Sequence, residues 1–563
     1  MSPKVTLNLG LRWDYFSPIN ETNGGQANFV QSGPPNGTPT YLIPATGKDD
    51  RELSTSFTTL LAKDGIALES TNKYGQGLVQ TQKTNWAPRI GFAYQITPKL
   101  VTRGGFGIFY NSFENQGYGP NIGENYPFVF NFTYAPQTAG TNPGQQSVSP
   151  ISYNTPWAGC PTAGPGYTAT IGSGLSCVQF TPVDVNAQGL GLEGLQFKYI
   201  TPHTLSANLT FQYSITRALS VQVAYVFTEG KNLQAGVGQN NVTAILPQGT
   251  STTNDADPGA GGTVPFPDFS SNSSYQSTIG YSDYNGLQTK IEQQFSNGLS
   301  FLFAYTFSKT LSDAGDLLNG GSLGGYRAPA VVGLGPTFDF SLADFDIRQV
   351  VHFSGSYDLP FGTNKKYFST ASKAANALVG GWSINWLLTL QGGQPITLSC
   401  PTSTTAGTNC DDVRVPGQSQ QLGIYIDKQN QPNWFGNAKA FQQPCVLGPN
   451  GPIPDNPAGC IPLTGSGVLG GKFDTTTGPG FHRLDFSLFK GFQITDRFSL
   501  QFRTEIFNIF NHPNFNAPNF GGNGVVAISN SGNFTNSNFG EIGSTRDAPY
   551  DPRQIQFALK LLF

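Results

Sequence analysis

The sequence predicts an all-β protein: a transmembrane antiparallel β-barrel of about 12 strands with long loops on one side and short turns on the other. Three observations predict it. Apolar and polar residues alternate through a dozen segments of 9–13 residues. Tight turns and long Gly/Asn/Ser/Thr/Pro-rich stretches take turns in joining those segments. Charged residues are 12% of the 563, about half of the roughly 25% usual in a soluble domain, while aromatic residues reach 13%.

The same composition excludes other classes. Disordered chains are poor in aromatic residues and rich in charge, whereas this one has 43 Phe and 22 Tyr. Heptads rich in Glu, Lys and Leu are absent, so a coiled coil is excluded. A membrane helix needs about 18 or more consecutive apolar residues. The nearest candidate, the uncharged stretch from Ala374 to Cys410, is interrupted throughout by Gly, Ser, Asn and Gln. A formal charge of −3 offers no general attraction to nucleic acid.

The first strand covers 5–15, VTLNLGLRWDY. Val5, Leu7, Leu9, Leu11, Trp13 and Tyr15 occupy one face, because a period of two puts alternate residues on one side of a pleated strand. Residues 205–215, LSANLTFQYSI, repeat the pattern. It recurs at 86–96, 100–110, 219–227, 287–295, 299–307, 351–359, 382–390, 484–492, 498–510 and 555–563. These lengths suit strands that cross a bilayer at a tilt, which takes about 9–11 residues. Some alternation at 124–134 and 192–199 leaves room for a further hairpin.

Short turns are expected at 97–98, 216–218, 296–298 and 495–496, and long loops at 17–85, 111–204, 228–286, 308–349, 391–483 and 511–554. One connection breaks the rule: 360–381 lies where a short turn belongs, yet has about 22 residues and a basic first half. Long loops outside and short turns inside describe an outer-membrane barrel. The face opposite the apolar one carries Arg12, Asp14, Arg89, Arg103, Lys290, Glu292, Asp485, Arg503 and Glu505. A lipid-facing charge costs about 2–4 kcal/mol at the midplane, so these residues are candidates for the lumen. Arg12/Asp14, Lys290/Glu292, Arg483/Asp485 and Arg503/Glu505 are pairs of opposite sign two residues apart, the pattern of a salt-bridged wall. Aromatic residues gather near strand ends (Trp13, Tyr15 and Phe16; Phe109 and Tyr110; Tyr225 and Phe227; Tyr305 and Phe307), as interfacial girdles require. A soluble sandwich or propeller is the alternative, but no blade repeat is visible.

No catalytic constellation emerges. His203, His352, His482 and His512 show no ligand spacing, no GxSxG has partners, and there is no P-loop. GGFG at 104–107 precedes no helix, so its glycines relieve crowding in a barrel wall. Asp411–Asp412 reads as a solvated loop pair, and the Asn-X-Ser/Thr triplets are frequent by chance in this composition. The protein is read as a non-enzyme without cofactor or metal. Cys160, Cys177, Cys400, Cys410, Cys445 and Cys460 all fall in loop sequence. An even count in loops suggests disulfides and an oxidising compartment, with 15 pairings open.

The chain ends QIQFALKLLF, with Ile555, Phe557, Leu559, Leu561 and Phe563 on one face. This resembles the C-terminal strand signature of bacterial outer-membrane proteins, which the barrel-assembly machinery recognises. A series of blocks extends the resemblance: VTLNLGLRWDYFSP (5–18), NWAPRIGFAYQITPK (85–99), VTRGGFGIFYN (101–111), LSVQVAYVFTEGKNL (219–233), YNGLQTKIEQQFSNGLSFLFAYTFSKTLSD (284–313), DFDIRQVVHFSGSYDLPFG (344–362), GGWSINWLLTLQGGQPIT (380–397), HRLDFSLFKGF (482–492) and FRTEIFNIFNHPNF (502–515). In this order they resemble TonB-dependent outer-membrane receptors, in particular the Oar-like branch, over essentially the whole chain. The resemblance implies a plugged barrel of about 22 strands, energised through TonB, importing a bulky extracellular ligand. Met1 is followed by SPKVTLNLG, without a basic start and an apolar core. Against the family pattern, residues 1–563 therefore correspond to the C-terminal portion of the barrel, without signal peptide, TonB box or plug. Contact with TonB would run through the missing N-terminal region, and Arg503 and Glu505 would face the plug. Two other functions fit the same strands: a surface adhesion or structural protein, and a passive channel from a self-closed barrel.

Overall fold

The computed structural model describes residues 4–33, 37–48, 51–111, 122–129, 185, 187–238, 240, 246–247, 264–270, 273–313, 340–343, 345–396, 398–399, 405–406, 413–426, 430–442, 447–448, 451–452, 476–495, 497–518, 525–526, 540–546 and 552–563. Twelve strands form one antiparallel meander: β1 (Val5–Asp14), β2 (Asn85–Thr97), β3 (Leu100–Tyr110), β4 (His203–Ser214), β5 (Leu219–Gly238), β6 (Ser274–Ser296), β7 (Leu299–Ser312), β8 (Gln349–Asp358), β9 (Trp382–Gln391), β10 (Phe481–Gln493), β11 (Ser499–Phe507) and β12 (Gln554–Leu562). Each pairs with its neighbours in sequence, and β1 and β12 stand at the two ends of the hydrogen-bonded path. No helix among the described residues is long and apolar enough to cross a membrane.

The turns follow from local chemistry. Asn297 and Gly298 join β6 to β7 with φ of 52° and 80°, the pair of positive angles that a type I′ hairpin needs and Asn-Gly tolerates. Register then decides which side chains share a face. Leu7, Phe92, Gly104, Leu209, Tyr225, Leu287 and Phe307 stand side by side from β1 to β7. Tyr357, Ile384, Leu488, Thr504 and Phe557 continue the same face from β8 to β12. These side chains look away from the protein: Leu9 is 70% exposed and Leu559 67%. A soluble monomer rarely shows an apolar patch beyond a few hundred Å², whereas a barrel wall in lipid shows one all round.

Two strands outrun their expected length. The alternation ends near Phe227 and resumes near Leu287, but β5 continues to Gly238 and β6 begins at Ser274. Register shifts at Lys231/Leu233 and Leu233/Ala235 bend this extension. The extension mixes Leu233, Tyr275, Ile279 and Tyr281 with Thr, Ser, Gly, Gln and charged residues, so it carries no alternation as long and regular as that of the other strands.

The long loops hold a core of their own. Asn28–Val30 pairs antiparallel with Thr40–Ile43, which pairs parallel with Ala67–Ser70. Helix α1 (Thr55–Lys63) starts at Ser54, whose hydroxyl accepts the Phe57 N–H at 3.0 Å, and it buries Phe57 and Leu61 one turn apart. Phe29, Tyr41, Phe57 and Leu61 from the β1–β2 loop pack with Tyr126 and Leu192 from the β3–β4 loop and Phe266 and Phe269 from the β5–β6 loop. Of the segments that left room for a further hairpin, 130–134 lie outside the described residues. Gly194–Leu195 pairs with β6, and Lys198–Tyr199 with Gln80–Thr81.

Candidate functional site

Cross-strand partners share a face, and all nine charged candidates fall on the face opposite the apolar one. Arg12 and Asp14 alternate with the apolar row of β1. Arg89 stands opposite Gly10 and Gly107, and Arg103 opposite Ala93 and Thr210. Lys290 and Glu292 face Gln222 and Ser220 on β5, while Asp485 faces Leu387. Arg503 and Glu505 face Phe489 and Ser487. Three of the expected pairs form: Arg12–Asp14 at 2.6 Å, Lys290–Glu292 at 2.8 Å and Arg483–Asp485 at 3.0 Å. Asp485 also accepts the Asn508 N–H at 2.9 Å, which ties the start of the last long loop to the wall.

The fourth pair does not form among the described residues. Arg503 donates to Gln501 at 2.8 Å, and its guanidinium lies 4.8 Å from the centre of the Phe489 ring. Arg89 lies in the same way 4.7 Å from Phe109. A guanidinium over a ring face is stabilised by roughly 0.5–1 kcal/mol at an exposed site, so two phenylalanines on the polar face take the place of a counter-charge. This corrects two members of the expected girdle. Phe109 serves Arg89, and Phe16 packs against Val79, Ile122, Leu195 and Tyr199 in the loop core. Trp13 keeps its rim position, with Trp86 at 6.4 Å and its indole N–H bonded to the Lys83 carbonyl. The glycine reading holds at Gly104, where a Cβ would collide with the Phe92 ring lying across it.

The loop core is pinned by three buried asparagines. The Asn28 side chain donates to the carbonyls of Leu78 and Leu195 and accepts the Leu195 N–H at 2.7 Å. Asn125 joins Ala27 to Glu193 in the same manner. Asn240 holds the turn around Phe266 and Phe269. Each amide uses both its oxygen and its nitrogen, and the first two span loops that are distant in sequence.

A carboxylate pair lies beside this core. The Lys63 ammonium meets Asp268 at 2.8 Å, and the Asp268 N–H donates to Asp64 at 3.1 Å. Burial pushes Asp64 up to about 6, and the adjoining Asp268 carboxyl adds to the rise. Burial also works to raise Asp268, but hydrogen bonds from Lys63 and Gln188 outweigh it and the net shift is downward. Between about pH 4 and pH 6 Asp64 therefore holds a proton while Asp268 keeps its charge.

A second loop cluster joins Ile396, Phe435, Ala440 and Phe441 to Trp434 and Ala517. Its hairpin, Leu422–Ile426 with Pro432–Phe435, exposes Leu422, Ile424, Tyr425 and Ile426. His482 and His512, far apart in sequence, come within 5.6 Å ring to ring. Among the described residues no three His, Cys, Asp or Glu gather as a metal site. Cys160, Cys177, Cys400, Cys410, Cys445 and Cys460, with Asp411 and Asp412, lie outside the described residues. On β12, Ile555, Phe557, Leu559 and Leu561 share the apolar face, and Phe563, just past the strand, is 87% exposed.

The family model described as "Outer membrane beta barrel domain" matches residues 1–556. The chain belongs to this outer-membrane β-barrel family. Its place is the bacterial outer membrane. No curated protein matches it. Among solved structures, the outer membrane transporter YddB from Escherichia coli is similar over 85% of this chain and 40% of its own, at 8% identity and a TM-score of 0.35. The ferric citrate transporter FecA in its unliganded form covers 85% and 38%, at 10% identity and 0.30. The ferric yersiniabactin uptake receptor FyuA from Yersinia pestis covers 85% and 37%, also at 10% and 0.30. This barrel-family chain spans two fifths or less of the length of these three proteins.

Proposed function

We propose that the chain is the barrel portion of an outer-membrane receptor that takes up a bulky ligand with energy delivered through TonB. The observation that carries the reading is the division of the sheet into one apolar face and one charged face, with the loops of β1–β2, β3–β4 and β5–β6 folded together at one end. In this reading the apolar face meets lipid. The face with Arg12, Asp14, Arg89, Arg103, Lys290, Glu292, Asp485, Arg503 and Glu505 lines the lumen. The packed loops capture the ligand, and no reaction is catalysed. An adhesive protein needs the loops but not a charged wall, which favours transport.

Residues 1–563 then form the C-terminal part of a larger barrel. β1 and β12 stand at the ends of the path, and each unpaired backbone group in lipid costs several kcal/mol. Further strands of the same barrel satisfy those edges. Ile555, Phe557, Leu559, Leu561 and Phe563 serve as the signal read by the barrel-assembly machinery, and TonB is reached through an N-terminal region.

The test is depletion of compounds from the medium. Wild-type cells, cells lacking this gene and cells lacking TonB are grown side by side, and the spent media are compared. The reading expects at least one compound, too large for porins, that only the wild type removes. If every compound spared by the gene deletion is still consumed without TonB, energised uptake is wrong.

A further inference from the structure

The connection between β8 and β9 differs from the other short turns. It runs over 359–381, carries helix α2 (Lys373–Val379), and holds Lys365, Lys366 and Lys373 with no acidic residue. Its apolar side chains face outward: Tyr367, Phe368 and Leu378 are exposed, Leu378 at 75%. Phe368 has a φ of 60°, a left-handed conformation uncommon for a bulky residue. Phe361 touches both Tyr367 and Phe368, with ring centres at 5.7 and 6.3 Å. The backbone here accepts an unfavourable angle while two aromatic rings stay in the open.

Helix α2 buries none of its residues, so packing of an apolar stripe does not hold it. Two ties to the wall do. The Trp382 indole N–H donates to the Leu378 carbonyl at 2.8 Å, and the Lys490 ammonium donates to the Gly380 carbonyl. Trp382 and Lys490 are cross-strand partners on the apolar face. Lys490 is only 4% exposed and lies 5.3 Å from the Trp382 ring and 4.9 Å from that of Phe492. A cation at the end of a helix complements its dipole. The helix is therefore fastened to the rim of the lipid-covered face, and its exposed side continues that face.

We propose that this turn anchors the barrel in the headgroup layer of the leaflet on the short-turn side. Lys365, Lys366 and Lys373 bind the phosphates of anionic phospholipids, and Tyr367, Phe368 and Leu378 sink into the layer beneath. Long lysine stems reach past apolar neighbours to place their charge among headgroups, and aromatic rings favour that depth. Three positive charges without an acid select an anionic lipid over a zwitterionic one. Continuity with the lipid-covered face favours a membrane over a protein partner.

Native mass spectrometry of the whole receptor that contains this chain, purified from outer membranes and released from micelles containing phosphatidylglycerol or phosphatidylcholine, tests this. The protein is expected to retain phosphatidylglycerol preferentially. The K365Q/K366Q/K373Q variant should bind it more weakly by about fivefold per lysine, on the order of 100-fold in all. The variant with arginine at the same three positions should keep it, which separates loss of charge from loss of fold. Inorganic phosphate at equal concentration should not displace the lipid. Equal retention of the two lipids, undiminished binding by the glutamine variant, or displacement by phosphate would each overturn the proposal.

Discussion

Leu209 sits at the middle of β4 on the apolar face, and Ser354 near the middle of β8 on the polar face. Arginine at the first position faces hydrocarbon, and at the second the opposite face of the sheet, between Leu302 and Leu387. Leu209→Arg should destabilise the folded barrel by about 2–4 kcal/mol, and Ser354→Arg should stay within about 0.5 kcal/mol of wild type. Guanidinium unfolding in lipid vesicles measures both. The ion pairs matter less singly. Both members of Lys290–Glu292 are more than 40% exposed on their side chains, and such pairs contribute about 0.2–1 kcal/mol. Replacing both by glutamine should leave the unfolding midpoint almost unmoved. Asn28 is different, because it is wholly buried and its side chain makes three hydrogen bonds. Asn28→Ala leaves buried backbone groups unpaired and should cost the loop core about 2–4 kcal/mol, read as faster hydrogen exchange at Phe29, Tyr41 and Leu195.

At the scale of elements, Asp64 and Asp268 give the loop core a pH dependence of known sign. Asp64 titrates near 6 in the folded protein against an ordinary value of 3.8, so the folded state binds more protons between those values. Its stability contribution therefore falls as pH rises from about 4 to about 6. Asp268 is shifted down, so its contribution is present above pH 3.8 and is lost as pH drops through its folded value. The core should be firmest near pH 4, and Asp64→Asn should abolish the decline towards pH 6. Hydrogen exchange over α1 between pH 4 and 7 measures this. The strands themselves were legible because a membrane enforces a period of two over 9–13 residues. The loop core was not. Phe29, Tyr41, Phe57, Tyr126 and Phe269 come from three loops and meet only in the fold, and pieces as short as Asn28–Val30 are too brief to show a period. Ser54 ahead of an apolar stretch was the one local signal, a helix cap.

For the whole molecule, the order of strands followed from the alternation of short and long connections, because a meander needs no choice of partner. The charged face was also readable, since lipid forbids what the lumen accepts. What Arg89 and Arg503 touch was hidden: Phe109 and Phe489 look like any aromatic residue until register puts them on the charged face. Face assignment is thus the point on which the account stands. Electron paramagnetic resonance of single spin labels, placed on a cysteine-free form of the whole receptor in lipid vesicles, tests it most directly. Labels replacing Leu7, Phe92, Leu209 and Phe557 should be reached by oxygen dissolved in lipid and shielded from a water-soluble nickel complex. Labels replacing Arg103, Lys290 and Arg503 should show the reverse. Two rows with the same accessibility, or with the two reagents exchanged, would contradict an apolar wall in lipid around a charged lumen.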